Sequence, residues 1–590
     1  MTMRLRVTAL LLTLTCPAAS CRSWDVPHPP AAGPAHSVVV IAVDALATRR
    51  MTLYGGPVAV PAIAALAGRG VLFADAATEV PQVRPALASL LTGQPVTVHG
   101  VRDDLVDRLG DAVPTLATSA KGAGASTAAF VSSPFASSAG FTRGFDLFDG
   151  PQTSAVGPAA RVPRVVPAGE IADHFAKWVA AQAASPAAFA FVELADLQGV
   201  ATRGPVAASQ AAYDEKLKEI DAAVGKIVGA LDAAPLGKNA DVFLVGTHGV
   251  LLGEGGGRGD AFWLGSETLR VPLVWAGPTS KDAGAPGSRS ERRVTLRDIS
   301  PTVAAILGAS LPSGEDAVPL GASAASTRLR YAWAFAPDDQ LAWPPLTAVD
   351  RGEGFRVFEP GADGVLRAAP GAPASEDDRA AAARHPALRR ESKLSATEIR
   401  RLESFGFKIG ASGEPPGSAG PKDPNAWLAA LGDFRHLVAE GKDRRALKAS
   451  EELLDGDRDG YAALVARLFV TTLAPDSKDG PALRADLLAR YGNRQEALHW
   501  SAHSVLVEKK YEAAEALLDA AVAAGPVEPE IYYDRACVLS LRGKTPEAIV
   551  ELKRAVDAGF REWNWMDRDP DLAAIRSDPG YAEILRTHGR

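Results

Sequence analysis

Residues 37–44, with the sequence SVVVIAVD, decide the fold: seven residues of a mostly β-branched apolar run end in a carboxylate. A continuous apolar run predicts a strand buried on both faces of a parallel sheet. Helical patterns separate this run from similar ones, and the alternation predicts an α/β fold with a mostly parallel sheet and helices on both faces. The predicted further strands are 126–131, 189–194, 241–245 and 271–275, and the helices are 61–69, 168–184 and 208–232.

Composition limits the classes of function. A chain of 590 residues predicts two or three domains. The formal net charge of −7 argues against nucleic acid as a partner, because a phosphate backbone requires a basic face. The 3 cysteines form neither a disulfide framework nor a zinc-binding pair, so any metal ligands are oxygen atoms or imidazoles.

The C-terminal part has a different pattern. Residues 411–424, ASGEPPGSAGPKDP, have the composition of a linker. Beyond them the pattern is helical and repeats at a period of 34 residues, as in the pairs Ala502/Ala536 and Leu518/Leu552. A helix-pair repeat of this period is typical of tetratricopeptide arrays, which bind proteins or peptides; an unrelated helical bundle is the alternative. The predicted divisions are a signal peptide at 1–21, an α/β domain at 36–365, a linker at 366–425 and all-α repeats at 426–590.

The N-terminus predicts export. Arg4 and Arg6 precede a short apolar run, and small residues follow it up to Cys21. The context resembles a bacterial lipobox, although the usual leucine is absent. Two outcomes remain open: a lipid-anchored protein modified at Cys21, or a periplasmic protein released by simple cleavage.

Polar residues at the predicted strand ends suggest the site. Asp44 ends the first strand and could bind a hard cation, or could instead cap a helix or form a turn. His248 follows a later strand and could bind a metal or carry a proton, or could be a satisfied structural histidine.

Residues 37–320 resemble the sulfatase branch of the alkaline-phosphatase superfamily. Seven landmarks come in the order of the family: 43–46 (VDAL), 90–93 (LLTG) followed by His99 and Gly100, 141–148 (FTRGFDLF), 191–198 (FVELADLQ), 245–249 (VGTHG), 269–273 (LRVPL) and 296–307 (LRDISPTVAAIL). The resemblance implies a divalent metal such as calcium, and a nucleophile that attacks the sulfur or phosphorus of an ester while the metal stabilises the developing charge.

This chain departs from the family at the residues that carry the chemistry. Counting back from the LLTG landmark places Val83 at the nucleophile position, and a valine side chain cannot attack. The metal-binding aspartate before the histidine is replaced by Thr247. The metal ligands that remain are Asp44, His248 and Asp260, the last of these in the loop 253–260. Two arginines, Arg84 and Arg49, are candidates for binding an anion, although solvated surface arginines are the alternative.

Three hypotheses follow. The chain is an exported sulfatase-like protein that has lost hydrolysis, in which the α/β domain is a scaffold or binds a small anionic ester and the repeats bind a protein. Alternatively, it is an active metal-dependent hydrolase of sulfate or phosphate esters with a rearranged site. In the third, the repeats alone carry the function and the α/β domain is structural.

Overall fold

The computed structural model describes fourteen stretches of the chain. These are residues 36–104, 107–136, 140–151, 165–183, 187–314, 316–322, 328–360, 365–369, 374–387, 394–409, 421–473, 478–525, 527–560 and 562–587. The predicted signal peptide, Cys21 and most of the stretch 411–424 lie outside them.

The strands form a large sheet of eight, a small antiparallel sheet of four and a two-stranded ribbon. The large sheet has the order β10-β2-β9-β6-β1-β5-β3-β4, the small sheet β11-β12-β13-β14 and the ribbon β7-β8. The strands are β1 (Ser37–Val43), β2 (Gly70–Ala77), β3 (Ser126–Val131), β4 (Leu147–Asp149), β5 (Ala188–Leu194), β6 (Ala240–Gly246), β7 (Leu251–Leu252), β8 (Arg258–Gly259), β9 (Arg270–Ala276), β10 (Ser288–Thr295), β11 (Arg330–Ala334), β12 (Leu346–Asp350), β13 (Phe355–Pro360) and β14 (Leu366–Ala368).

Strand β1 lies between β5 and β6 and runs parallel to both, as its apolar sequence predicts. Its alternate residues face opposite cores: Val39 and Ile41 belong to one apolar cluster, and Val38 and Val40 to the other. All seven residues are buried. A strand covered on both faces needs apolar side chains at every position, which explains the unbroken run.

The strand predicted at 271–275 exists, but its direction differs from that of the other predicted strands. β9 pairs antiparallel with both β2 and β6. Its apolar sequence could not reveal this, because burial on both faces gives the same pattern in either direction. The strands β2 and β10, which pair in parallel beyond it, were not predicted.

The helices surround the large sheet and then continue as pairs. Before residue 400 they are α1 (Pro61–Gly68), α2 (Val83–Thr92), α3 (Val96–His99), α4 (Leu116–Gly122), α5 (Ala168–Ala180), α6 (Val206–Ala233), α7 (Ser266–Leu269), α8 (Ile299–Ile306), α9 (Ala336–Leu341), α10 (Glu376–Ala382) and α11 (Ala396–Ser404). Helices α1, α5 and α6 supply Ile63, Phe175 and Leu217 to one core, while α2 and α8 supply Leu87 and Val303 to the other. The prediction of helices on both faces is confirmed.

The range predicted as a linker, 366–425, contains packed structure. β14 pairs with β13, and α10 packs beside them through Ala381 and Ala382. Leu402 of α11 is buried in the apolar core of the later helices. These elements are short and are separated by stretches with the composition of a linker.

The C-terminal helices repeat at the predicted period. They are α12 (Pro424–Ala439), α13 (Asp443–Gly456), α14 (Tyr461–Leu473), α15 (Gly480–Tyr491), α16 (Gln495–Val507), α17 (Tyr511–Ala523), α18 (Pro529–Leu541), α19 (Thr545–Ala558), α20 (Trp563–Met566) and α21 (Pro579–Thr587). From α16 to α18 and from α17 to α19 the first residues are 34 positions apart. The small residues Ala502 and Ala536 occupy equivalent buried positions, which lets the paired helices approach closely.

Polar contacts connect the helical region to the α/β domain. Arg494 donates to the carboxylate of Asp338 at 2.8 Å and to its backbone carbonyl at 2.6 Å. Asn425 donates to the Gly255 carbonyl at 3.1 Å, and Arg108 donates to the Ala558 carbonyl at 3.0 Å. Across the described stretches, no helix combines the length and apolarity needed to cross a membrane.

Candidate functional site

The carboxyl ends of three adjacent parallel strands bring four polar side chains together. Asp44 follows β1, Glu193 lies near the end of β5, and Thr247 and His248 follow β6. All four residues are fully buried. The strand-end rule placed Asp44 and His248 correctly, because neighbouring parallel strands end at the same edge of the sheet.

Asp44 is held by the residues on either side of it. Its Oδ1 atom accepts a hydrogen bond from Thr247 Oγ1 at 2.7 Å, and its backbone N–H donates to the Leu194 carbonyl at 2.9 Å. Thr247, which the family resemblance aligns with a metal-binding aspartate, offers a hydroxyl donor to Asp44 here. One of the two Asp44 oxygens is thereby committed to a neighbour.

The other oxygen of Asp44 faces the carboxyl group of Glu193. Asp44 Oδ2 and Glu193 Oε1 are buried acceptor atoms that lack a donor when both groups are ionised. The second Glu193 oxygen accepts from the backbone N–H groups of Ser132 and Ser133, at 2.6 and 2.8 Å. Burial, followed by the charge of Glu193 and a hydrogen bond to it, raises the pKa of Asp44 well above its usual range. A proton on Asp44, donated to Glu193, satisfies both atoms.

His248 has one ring nitrogen engaged and the other unpaired. Nδ1 lies 2.9 Å from the Gly249 carbonyl, to which its N–H donates, and 3.8 Å from Asp260 Oδ2. Nε2 is buried with no hydrogen-bond partner. Donation from Nδ1 leaves the Nε2 lone pair available to a proton or a cation.

The position assigned to the nucleophile is apolar in structure as well as in sequence. Val83 is the first residue of α2, and its side chain is fully buried in the apolar cluster beneath the sheet. Gln82 precedes it as the helix N-cap, without a side-chain capping bond. Val83 therefore contributes packing and offers no heteroatom.

The two arginines predicted to bind an anion are engaged by groups of the protein. Arg84 Nε donates to the Phe135 carbonyl at 3.0 Å, and the charges of Asp103, Asp104 and Asp107 act on the buried guanidinium. The backbone N–H of Arg84 also donates to Asp104 at 2.8 Å. Burial and the nearby Asp103 charge raise the pKa of Asp104 to about 7. The positive charge of Arg84 is therefore balanced within the protein.

Arg49 is also paired. Its Nε atom lies 2.6 Å from Glu254 Oε1, and its Nη2 atom donates to the Val250 carbonyl at 2.7 Å. These partners lie near the ribbon β7-β8, and neither they nor Asp104 were foreseen from the sequence. Arg49 Nη1 is buried without a hydrogen-bond partner, and anion binding by Arg84 and Arg49 stays a prediction.

The predicted metal ligands do not converge. Within the described stretches, Asp44, His248 and Asp260 are not among the sets of three ligand atoms that lie within 4.8 Å of one another. Asp260 lies beside the Nδ1 edge of His248, whereas the unpaired atom is Nε2. The atom types suit a cation, but among the described residues these three do not form such a set.

Sequence reasoning missed Glu193 and a second polar cluster. Glu193 was concealed within the apolar run of β5, where an acidic residue is itself the signal of a buried polar contact. The other cluster, His499, His503 and Asp534, brings three ligand atoms within 4.8 Å. Its detectable signal was the pair of histidines four residues apart on a helix.

Part of this chain is similar in sequence to curated sulfatases. Steryl-sulfatase of Rattus norvegicus is 32% identical over 130 residues, covering 18% of this chain and 21% of that protein. Steryl-sulfatase of Mus musculus is 30% identical over 128 residues, covering 18% of this chain and 20% of that protein. The chain thus spans about a fifth of the length of these relatives.

Solved structures with related folds include a 2-O GAG sulfatase, with a TM-score of 0.45, 16% identity and coverage of 55% of this chain and 85% of that one. A phosphonate monoester hydrolase from Silicibacter pomeroyi has a TM-score of 0.47 and 17% identity, covering 59% of this chain and 94% of that one. The sulfatase family model matches residues 36–309. This match identifies residues 36–309 as a sulfatase-family domain.

Proposed function

We propose that the sulfatase-family domain of this chain no longer hydrolyses esters and serves as a rigid platform for the helical region, which binds a protein partner. The observation that carries the first part is Val83, a buried hydrocarbon at the position that the family resemblance assigns to the nucleophile. Loss of a nucleophile alone typically removes orders of magnitude of rate.

The state of Asp44 supports the same proposal. Members of the sulfatase family are metal-dependent, which makes a divalent metal in this crevice a natural expectation. In this chain, however, Asp44 accepts a hydrogen bond from Thr247 and faces Glu193. A proton can therefore offset the repulsion between the two carboxyl groups, as a bound cation would. A protonated carboxyl is a poor metal ligand.

The second candidate is an active ester hydrolase with a rearranged site. One observation favours it: His248 Nε2 is buried and unpaired at the strand ends, as a proton carrier or a ligand would be. In that case a water molecule would have to replace the missing covalent nucleophile.

An assay of ester hydrolysis separates the two. The purified chain is incubated with aryl sulfates and aryl phosphates in the presence of Ca²⁺, Mg²⁺, Mn²⁺ or Zn²⁺. We expect the same background release from the wild-type chain and from His248→Ala. A matched control is His174→Ala, because His174 lies far along α5 and pairs with Asp149 at the surface. Metal-dependent turnover that His248→Ala abolishes and His174→Ala retains would establish the hydrolase.

The proposed partner surface is a cavity in the helical region of about 780 Å³. It is lined by Phe405, Phe407, Leu488 and Val505, with Lys408, Lys509 and Lys510 at its edge. A cavity of this size with an apolar floor and basic edge suits a short peptide that carries apolar and acidic side chains.

Peptide display on the full chain tests this surface. We expect selected peptides to be rich in acidic and apolar residues and to be lost when Lys408→Glu is introduced. The control is Lys553→Glu, which reverses a lysine paired with Asp557 on the exposed side of α19. Peptides retained equally by both variants would refute the assignment.

We also propose that the chain is exported. The support is the sequence alone: the basic residues Arg4 and Arg6, the apolar run after them and the small residues before Cys21. Mass spectrometry of the mature N-terminus tests the proposal. A chain that begins at a lipid-modified Cys21 is an anchored protein, one cleaved without lipid is a released protein, and an intact N-terminus excludes export by this signal.

A further inference from the structure

Three side chains from two successive helix pairs meet in the C-terminal region, away from the strand-end site. His499 and His503 lie one turn apart on α16, and Asp534 lies on α18. His499 Nε2 is 2.6 Å and His503 Nε2 is 2.5 Å from the same atom, Asp534 Oδ2. Among the described residues this is the set of three potential ligand atoms that lie within 4.8 Å of one another.

The cluster is enclosed and its members are held in place. The side chain of His499 is 3% exposed, that of Asp534 15% and that of His503 29%. The indole of Trp500 packs against both imidazoles, with ring centroids 4.9 Å apart in each case. Two imidazoles fixed on one helix face and a carboxylate fixed on another helix are already arranged as ligands, so little conformational entropy would be lost on binding.

The chemistry of these atoms favours a transition metal. Imidazole nitrogens suit zinc and its neighbours, whereas calcium and magnesium prefer oxygen ligands. Three protein ligands would leave a fourth position for water or another ligand.

Without a metal, both histidines can carry their proton on Nε2 and donate to the same oxygen of Asp534, which has two lone pairs to accept them. A cation of about 2 Å bond length placed between the three atoms replaces both hydrogen bonds after a small outward movement of each side chain.

We propose that His499, His503 and Asp534 bind one divalent transition-metal ion of the zinc class. The ion joins α16 to α18, and hence one helix pair to the next. The site is independent of whether the α/β domain hydrolyses esters.

The test uses the full chain stripped of metal and titrated with Zn²⁺ by calorimetry, with thermal unfolding measured in parallel. We expect one site that is weakened at least 100-fold in His503→Ala and in Asp534→Asn, and a zinc-dependent rise in Tm that both variants lose. Asp534→Asn keeps the shape of the side chain, and circular dichroism checks that each variant is folded. We expect Ca²⁺ to produce neither effect.

Two controls isolate the site. His436→Ala removes a histidine of the same helical region that contacts Thr202, and it should leave zinc binding unchanged. Asp44→Asn removes any contribution from the strand-end site. This variant should also still bind one zinc ion per chain. Zinc binding by the wild type that is no tighter than binding by Asp534→Asn, or binding lost in Asp44→Asn instead, would overturn the proposal.

Discussion

At the scale of single residues, the decisive change is the pairing of Asp44 with Glu193. Two carboxyl groups buried side by side cannot both stay ionised without compensation, and a shared proton or a cation can provide it. The Thr247 hydroxyl adds a donor to Asp44 and supplies no charge. Under the proposal of lost hydrolysis, these contacts give Asp44 a structural role.

Replacing Asp44 by asparagine tests the shared proton. The raised pKa means that native Asp44 keeps a proton which the unfolded chain releases above about pH 4, so wild-type stability falls as the pH rises toward the native pKa. Asparagine can accept from Thr247 and donate to Glu193 without binding a proton. We expect Asp44→Asn to be more stable than the wild type at pH 8. The difference should grow by about 1.4 kcal/mol for each pH unit between the pKa of Asp44 in the unfolded chain and its pKa in the native protein.

Chemical denaturation at pH 5 and pH 8 measures the difference. The control is Asp232→Asn, which changes an exposed aspartate paired with Arg69 and should shift stability by less than about 1 kcal/mol. A variant of Asp44 that is less stable than the wild type at pH 8 would show that its ionised form is the native one.

Glu530 gives a second pH dependence, with a defined range. Burial and the charge of Glu528 raise its pKa to about 8. The native state holds this proton while the unfolded chain has released it, so wild-type stability should fall between about pH 4.5 and pH 8. We expect Glu530→Gln to flatten the profile across this range in denaturation experiments. An unchanged slope would mean that Glu530 ionises normally in the folded protein.

At the scale of elements, the helix pairs show how closely the sequence period is followed. Gly543 forms the turn between α18 and α19 with φ of 71°, and Lys509 forms the equivalent turn between α16 and α17 with φ of 60°. The left-handed region favours glycine because a Cβ atom is crowded there. The backbone of Lys509 is therefore strained, whereas that of Gly543, the equivalent residue of the next repeat, is not.

Substitutions at these two positions test whether the two turns are equivalent. We expect Lys509→Gly to raise the free energy of unfolding by about 1 kcal/mol, because it removes this strain. Gly543→Ala should lower the free energy of unfolding by a similar amount, and no atom lies near its Cβ position to cause a clash. Thermal unfolding of both variants measures the effect, and destabilisation by Lys509→Gly would contradict it.

Long periodic elements were predictable, whereas pairing direction and short elements were not. The run 37–43 and the 34-residue period both follow from burial, which the sequence records directly. The direction of β9 depends on its neighbours and leaves no periodic signal. In the site, strand ends identified Asp44 and His248, but Glu193 and Asp534 act through partners 60 and 31 residues or more away along the chain.

At the scale of the whole molecule, the helical region contacts the α/β domain at several separate points. One of them is Arg494, which contacts Asp338 twice, and Asp338 is 0% exposed. A hydrogen bond to a charged group contributes about 1.5–3 kcal/mol. A platform role requires such rigid attachment, whereas an independently acting repeat array would not.

Arg494→Ala tests the attachment. We expect the free energy of unfolding to fall by about 1.5–3 kcal/mol, because two hydrogen bonds to Asp338 are lost. The control is Arg490→Ala, which breaks a partly exposed pair with Asp486 and should cost less than about 1 kcal/mol. A single transition with unchanged Tm in Arg494→Ala would show that this contact does not couple the two regions.

The most direct test of the account is a single-turnover measurement with the protein in excess over an aryl sulfate or aryl phosphate ester, at saturating divalent metal. The account predicts that release of the aryl alcohol does not exceed the rate in buffer, because Val83 offers no attacking atom. Release of one equivalent of alcohol per ester, at a rate that rises with protein concentration and falls in His248→Ala, would contradict it.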